Sequence, residues 1–530
     1  MVLTLPRRGS PGSRLLVAAA AAAAALCAGA HAAGAKRDAA RQRAPADVDE
    51  YVVRAAPGEV LALAPPRLPD LRGYTLEAVL QKVPKGPRGQ AVVKRMVAIP
   101  TLKEFVAGGI GRLREWAARQ TRNPVAILVE RGVITPRELA KVVPKEHFEE
   151  TAPGVYVLRL PLVVGEKAAF HIDGKVKEFR LSQERGAFLS NDGKLFITGT
   201  RVLAWRERDG KPAAFRRANE FRPFVVSRGG GELYIADSHV AHLGYAASKA
   251  YGVSISQYSP NQDAVLKRPR PTGWILHSEF VDNWYGFYCY EADDVAVIGN
   301  TYRENIVYGI DPHDRSRRLI IAGNIATGIR QKHGIIISRE VNDSWIIGNQ
   351  ARGNRLSGIV IDRSSINNVI AYNESTRNGT DGFTIYESPD NLLWGNRAVG
   401  NGRHGFRLRN SVDIRLYDNV AAANGLAGIY GHIKDLTGTD RDLKLDPFEQ
   451  TVSMVIVGGR LVFNGSGPVT IDRPLSVELY NVELLAPSKK AGIQMTGVLG
   501  RHQLEILDIM VRRRMAVVIE PAKAPPGKGA

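Results

Sequence analysis

Cysteine is almost absent: the 530-residue chain has two, Cys27 and Cys289. Two cysteines exclude a disulfide framework, and loss of Cys27 with a leader would leave no intrachain pair at all. Acid is in deficit, with 53 Asp and Glu against 72 Lys and Arg and a net charge of +19. A charge of that size predicts a polyanionic partner: nucleic acid, an anionic membrane or an acidic polysaccharide. Nucleic-acid motifs are missing, so no nucleic-acid partner is expected. Beyond the first 32 residues no run is apolar enough to span a bilayer, so no stable membrane insertion is expected. Glycine-rich nonapeptide calcium repeats are missing too.

The N-terminus reads as an export signal. Arg7, Arg8 and Arg14 precede the apolar run LLVAAAAAAAALCAGAHA, which ends in the small-residue pattern Ala30-His31-Ala32. The run is alanine-rich and short for a membrane span, so 1–32 is read as a secretory signal peptide. No leucine lies three residues before Cys27, which argues against lipid attachment. The expected location is the periplasm of a Gram-negative bacterium, and the expected partner of an exported basic chain is an acidic polysaccharide.

What the chain has in abundance is a repeat. Gly286, Gly309, Gly334, Gly358, Gly382, Gly405 and Gly428 each open a short apolar run, at intervals of 23 to 25 residues. Asn300, Asn324, Asn349, Asn373, Asn396 and Asn419 keep the same period independently. Runs such as GIIISR, GIVIDR and GFTIYE alternate in polarity and are rich in β-branched residues, a strand signature. A strand-only repeat of this length predicts an all-β fold, a parallel β-helix, right-handed by the chirality of parallel crossovers. The asparagines are expected to form an internal amide ladder. The remaining expectations are a mixed N-terminal region at 33–150 and the β-helix catalytic domain at 151–485. A C-terminal cap at 486–520, built on the helix-like RHQLEILDIMVRRR, and a disordered tail at 521–530 complete them.

The register predicts a functional stripe. Counting from each glycine, positions +1 and +3 are apolar and face the core, so +2 and +4 face out. Position +4 gives His313, Ser338, Asp362, Tyr386, Arg409 and His432; position +5 gives Asp314, Arg339, Arg363, Glu387 and Asn410. Tyr285, Tyr308, His333, Ser357, Asp381 and His404 align just before the glycines. With Lys332, these place Arg363, His333, Asp362, Tyr386 and Arg409 as candidate substrate-binding residues. Twelve basic residues of the region, from Arg303 to Arg415, are expected to form one long cationic surface.

Within the stripe, Asp311-Pro312-His313-Asp314 has three readings: a divalent-metal site, a structural turn or an acid–base site. Arginine-rich flanks raise the cost of a cation, and an outward histidine needs no such framing. An imidazole, with its pKa of about 6.5, suits proton transfer near neutrality. One aspartate would orient the ring. Arg339, one coil away, would stabilise charge developing on a uronate carboxylate as the proton alpha to it is removed. Tyr308, or a water it positions, is the candidate proton donor. No metal and no cofactor are expected.

The segments YGIDPHDRS, KHGIIISREVNDS, DGFTIYESPDNLLWGNR, RHGFRLRNSVDIRLYDN and GIYGHIKDL resemble the periplasmic mannuronan C-5-epimerases of bacterial alginate biosynthesis. The likeness runs over most of the mature chain and is densest over about 272–485. The resemblance implies a right-handed parallel β-helix that converts polymeric mannuronate to guluronate, alongside the alginate secretion and modification proteins of the periplasm. It implies His313 as base and Arg339 as carboxylate neutraliser, with Asp311 and Asp314 as the motif's acids. Tyr308 matches a tyrosine that takes part in proton transfer in secreted relatives. Two rivals stay open: a uronate lyase sharing the first step, and a non-catalytic polyanion-binding export scaffold.

Overall fold

The computed structural model describes residues 50–106, 110–486 and 493–522; the expected signal peptide and most of the tail lie outside them. Each coil contributes one strand to each of three faces. On the first, Tyr285–Tyr290, Tyr308–His313, Ile335–Ser338, Ile359–Asp362, Phe383–Tyr386, Phe406–Arg409 and Ile429–His432 pair in parallel, in that order. The second runs from Ala296–Ile298 to Ile414–Tyr417 and the third from Thr301–Arg303 to Val420–Ala422. The 23-to-25-residue period is the circumference of a parallel β-helix, as the sequence predicts.

The repeated glycines permit the close stacking of coils. A Cβ at Gly309 would sit 2.5 Å from the carbonyl oxygen of Gly334, and one at Gly382 would sit 2.7 Å from that of Gly405. Those distances are impossible for a side chain, so only glycine fits the column. Inside, Asn300 to Asn419 form the expected ladder: each Nδ2 donates to the Oδ1 of the next at 2.9–3.0 Å. A second ladder, which the sequence reading did not single out, joins Asn354, Asn378, Asn401, Asn424 and Asn464 at 2.8–3.0 Å. All of these amides are buried, and the ladder satisfies them where water cannot.

The described part of the expected 33–150 region divides between the two ends. Val125–Ile134 already stacks in parallel on Leu162–Ile172, so coil formation starts before 151. Tyr51–Ala56 lies at the opposite end, antiparallel to the C-terminal strand Ala516–Pro521, which also pairs with Ser476–Tyr480. Between them, Leu71, Tyr74, Leu76, Val79 and Val83 form an apolar strap over the outside of the second face, against Leu276, Ala322, Ile347, Trp394 and Tyr417. At the C-terminal end Leu499, Ile506 and Ile509 of the short helical turns over 498–512 pack against the core, and the strand Ala516–Pro521 lies beside them.

Two covers bound the open part of the first face. Phe105 and Trp116, from the helical stretch Lys103–Val106 and Ile110–Arg119, pack with Phe188 and Phe224 over its early coils. A loop over 433–452 crosses its later coils. That loop is an insertion: the ladder step from Asn424 to Asn464 spans 40 residues where the previous step spans 23.

Candidate active site

The strand Tyr308–His313 lies in the groove between these covers. Its register pairs Tyr285 with Tyr308, Tyr288 with Asp311 and Tyr290 with His313 on one side, and His313 with Ser338 on the other. The stripe continues as Ser338, Asp362, Tyr386, Arg409 and His432 in successive coils. At the end of each strand the backbone turns through the left-handed region: φ is 39° at Asp314, 63° at Arg339, 56° at Arg363, 45° at Glu387 and 50° at Asn410. Such angles are unfavourable for residues with a Cβ. Here the coil-to-coil hydrogen bonds from Asp314 N to Ser338 O and from Arg339 N to Asp362 O hold them. This shared corner stacks five polar side chains in one column.

His313 is paired through Nδ1 with the Asp314 carboxylate. Asp314 Oδ1 in turn lies 3.4 Å from Arg339 Nη1. With Nδ1–H donated to Asp314, the lone pair of the neutral ring is on Nε2. Burial alone pushes the His313 pKa down, but the hydrogen bond to Asp314 and the Asp311 charge outweigh it and raise it above 6.5. Burial also pushes Asp314 up, but the His313 hydrogen bond and the neighbouring arginines more than offset it, so its carboxyl stays below the usual range. Burial pushes Asp311 up to about 7, and one of its carboxylate oxygens has no hydrogen-bond partner among the described residues. Tyr308 is held above its ordinary value, mainly by burial, so its hydroxyl stays protonated. Its Oη accepts from Lys332 Nζ at 3.2 Å, and its ring stacks on His333 at 6.0 Å.

The other candidates are present in the groove but mostly committed. Arg409 makes a bidentate pair with Glu387 at 2.7 and 3.0 Å and covers the Tyr386 ring at 3.8 Å. Arg363 Nε lies 3.3 Å from Asp362. Burial lowers His333 to about 4, so that ring is neutral at physiological pH. His333 Nδ1 accepts from Ser357 N.

Two expectations need correction. Position +2 does not face open water: Asp311 is 3% exposed and Ile336 6%, because the covers and the tyrosines of the preceding coils make the face a recessed groove. Nor do the arginines form one cationic surface. Arg303, Arg352 and Arg397 stand on the third face, Arg415 on the second and Arg407 on the first. Many are neutralised locally, as Arg318 is by Asp293 and Asp294.

The sequence reading missed the 433–452 loop. Asp446 makes a bidentate pair with Arg339, at 2.8 Å to Nε and 2.7 Å to Nη2, and is only 2% exposed. Arg441 reaches Glu387 at 2.6 Å and Asp362 at 3.4 Å. The signal was available as the break in the period after Gly428. Tyr285 was placed in the stripe, but Tyr251 and Tyr288, which build an aromatic wall with it at 4.7–4.9 Å between the Tyr251 ring centroid and the other two, were not named.

A groove with a carboxylate-oriented imidazole, a guanidinium and a phenol suits proton abstraction beside a carboxylate. The chain is 58% identical over 473 residues to the mannuronan C5-epimerase of Pseudomonas putida, an alignment covering 89% of this chain and 91% of that protein. It is 54% identical over 533 residues to that of Pseudomonas aeruginosa, covering 98% of both. The chain belongs to the mannuronan C5-epimerase family. Consistent with that membership, the fold matches a crystal structure of the periplasmic alginate epimerase AlgG with a TM-score of 0.79 at 57% identity, covering 80% of this chain and 99% of that one. Residues 248–425 also match a model described as periplasmic copper-binding protein (NosD). In this chain the coil register described above brings His313, Asp314 and Arg339 together.

Proposed function

We propose that this protein is a periplasmic, polymer-level epimerase that converts β-D-mannuronate residues of alginate to α-L-guluronate. The observation that carries this reading is the His313–Asp314 pair beside Arg339, in a chain more than half identical, over most of its length, to mannuronan C5-epimerases. His313 Nε2 removes the C5 proton. The C5–H bond breaks and its electron pair spreads into the C6 carboxylate. Asp314 holds the ring in the tautomer that presents Nε2 and stabilises the imidazolium that forms. Arg339 and the buried groove favour the extra negative charge on the carboxyl group. A proton from Tyr308, or from a water it positions, forms the new C5–H bond on the opposite face, inverting the centre. Burial supports this role by keeping the phenol protonated.

Asp311, with one carboxylate oxygen left without a partner among the described residues, contributes a polar contact to the sugar. Lys332 and His333 bind substrate beside Tyr308, while Asp362, Arg363, Tyr386 and Arg409 bind it along the following coils. The catalytic unit is the β-helix expected over 151–485, extended at its start by the coil strand Val125–Ile134. Protein partners are the alginate secretion and modification proteins of the periplasm, a reading supported by the shared compartment.

The test is conversion of polymannuronate in heavy water. Proton NMR should show guluronate carrying deuterium at C5 in an uncleaved polymer. Unsaturated uronate ends, seen by ultraviolet absorbance, would instead mean β-elimination. His313→Ala should bind polymer without converting it.

A further inference from the structure

We propose that Asp446 is a specificity-determining residue: from the 433–452 insertion it occupies the position that a substrate carboxylate takes on Arg339, so that only an anionic polymer can displace the loop and reach His313. The inference rests on the carboxylate-binding role given to Arg339 above.

The argument starts from the donors of one guanidinium. Arg339 offers two edges on which a carboxylate can bind with two parallel hydrogen bonds. The Nε/Nη2 edge is filled by Asp446 at 2.8 and 2.7 Å. The Nη1 end faces Asp314 at 3.4 Å. No well-formed edge is left for a uronate, so the group best placed to stabilise the developing charge is occupied by an internal carboxylate of the same chemistry. Arg363 Nη1 also lies 3.8 Å from Asp446, which places the Asp446 carboxylate between two cations of the stripe.

The loop is built to move. Its start is fixed by reciprocal hydrogen bonds between Asn410 and Lys434, at 2.7 and 2.8 Å. Beyond that, its contacts with the groove floor are ionic: Arg441 to Glu387 and Asp362, and Asp446 to Arg339 and Arg363. Its apolar anchors lie towards its two ends, Ile433 and Leu436 near the start and Val452 where it rejoins the coils, while Leu445, beside Asp446, is 44% exposed. An ionic contact can be exchanged for another of the same sign and geometry. A neutral polymer brings nothing to replace the carboxylate it would have to expel, since a guanidinium left unpaired in a recessed site is costly. A polyuronate brings an equivalent group.

The experiment compares the full-length protein with Asp446→Asn and Arg441→Gln, measuring kcat and KM on polymannuronate and hydrogen exchange over 433–452 with and without the polymer. A hydrogen bond to a charged group contributes about 1.5–3 kcal/mol, so relieving this competition should lower KM by about tenfold or more in Asp446→Asn. Arg441→Gln should lower it in the same direction, and kcat should carry none of the change. In the parent, exchange over 433–452 should quicken when polymannuronate is added and stay unchanged with a neutral polymannose. Two results overturn the proposal: a fall in kcat with KM level or higher, which would make Asp446 a positioning residue for Arg339, or loop exchange that slows or does not change with polymannuronate. Arg339→Leu separates the two readings. If that variant keeps full turnover, the underlying role of Arg339 fails; if it loses turnover while Asp446→Asn leaves KM unmoved, the displacement idea alone fails.

Discussion

The N-terminal strap and the 433–452 loop both cross the outside of this solenoid, and they hold on in opposite ways. The N-terminal strap meets the second face with Leu71, Tyr74, Leu76, Val79 and Val83, and Tyr417 Oη donates to Leu61 O at 2.7 Å. The 433–452 loop meets the first face through Arg441 and Asp446. Burial of apolar area has no competitor in solution, so the first contact is a permanent seal. A carboxylate–guanidinium contact competes with every other anion, so the second is exchangeable. The same scaffold therefore carries one face closed for stability and one face held ready for a polyanion.

The comparison breaks most sharply if the open face turns out to be structural. His313→Gln should cut guluronate formation by about 10² to 10⁴-fold, the usual contribution of a general base, with an unchanged melting temperature. A cooperative loss of folding instead would merge the two faces into one role. On the sealed side, Val79 is fully buried. Val79→Asp would bury an unpaired charge and should destabilise by roughly 4 kcal/mol, seen as a lower melting temperature, while KM of the folded fraction stays at the parental value. Beneath both faces, Asn373→Ala leaves its ladder neighbours unpaired and should lower stability by about 1–3 kcal/mol in a denaturation series. The smallest effect sharpens the chemistry of the open face. His313 must be neutral to accept a proton and its pKa is raised, so kcat should rise with pH through a midpoint above 6.5. Asp314→Asn removes the carboxylate whose hydrogen bond and charge raise that pKa, and the surviving activity should show its midpoint at lower pH.

Much of this was legible because a repeat makes the sequence a map of the coils. Glycine spacing set the register, so the alignment of His313, Ser338, Asp362 and Tyr386 could be read before any coordinates. The same counting placed Asp314 and Arg339 in one column, although the left-handed corner that holds them was not visible. The failures fall where periodicity stops. The 433–452 loop has no partner in the repeat, so its contact with Arg339 depends on a path that spacing does not encode. The pairing of Tyr51–Ala56 with Ala516–Pro521 joins segments hundreds of positions apart with no shared period. Arginine counting overstated the cationic surface because charge says nothing about which of three faces a residue occupies.

The Asn424–Asn464 hydrogen bond holds at 2.8 Å across the extra residues between them. A solenoid corner can thus release a long excursion and resume its winding as though nothing had intervened. Such a corner is a grafting point: its insert can be lengthened, recharged or exchanged without asking the scaffold to refold. Selectivity for a polymer can then evolve, or be engineered, separately from the chemistry beneath it.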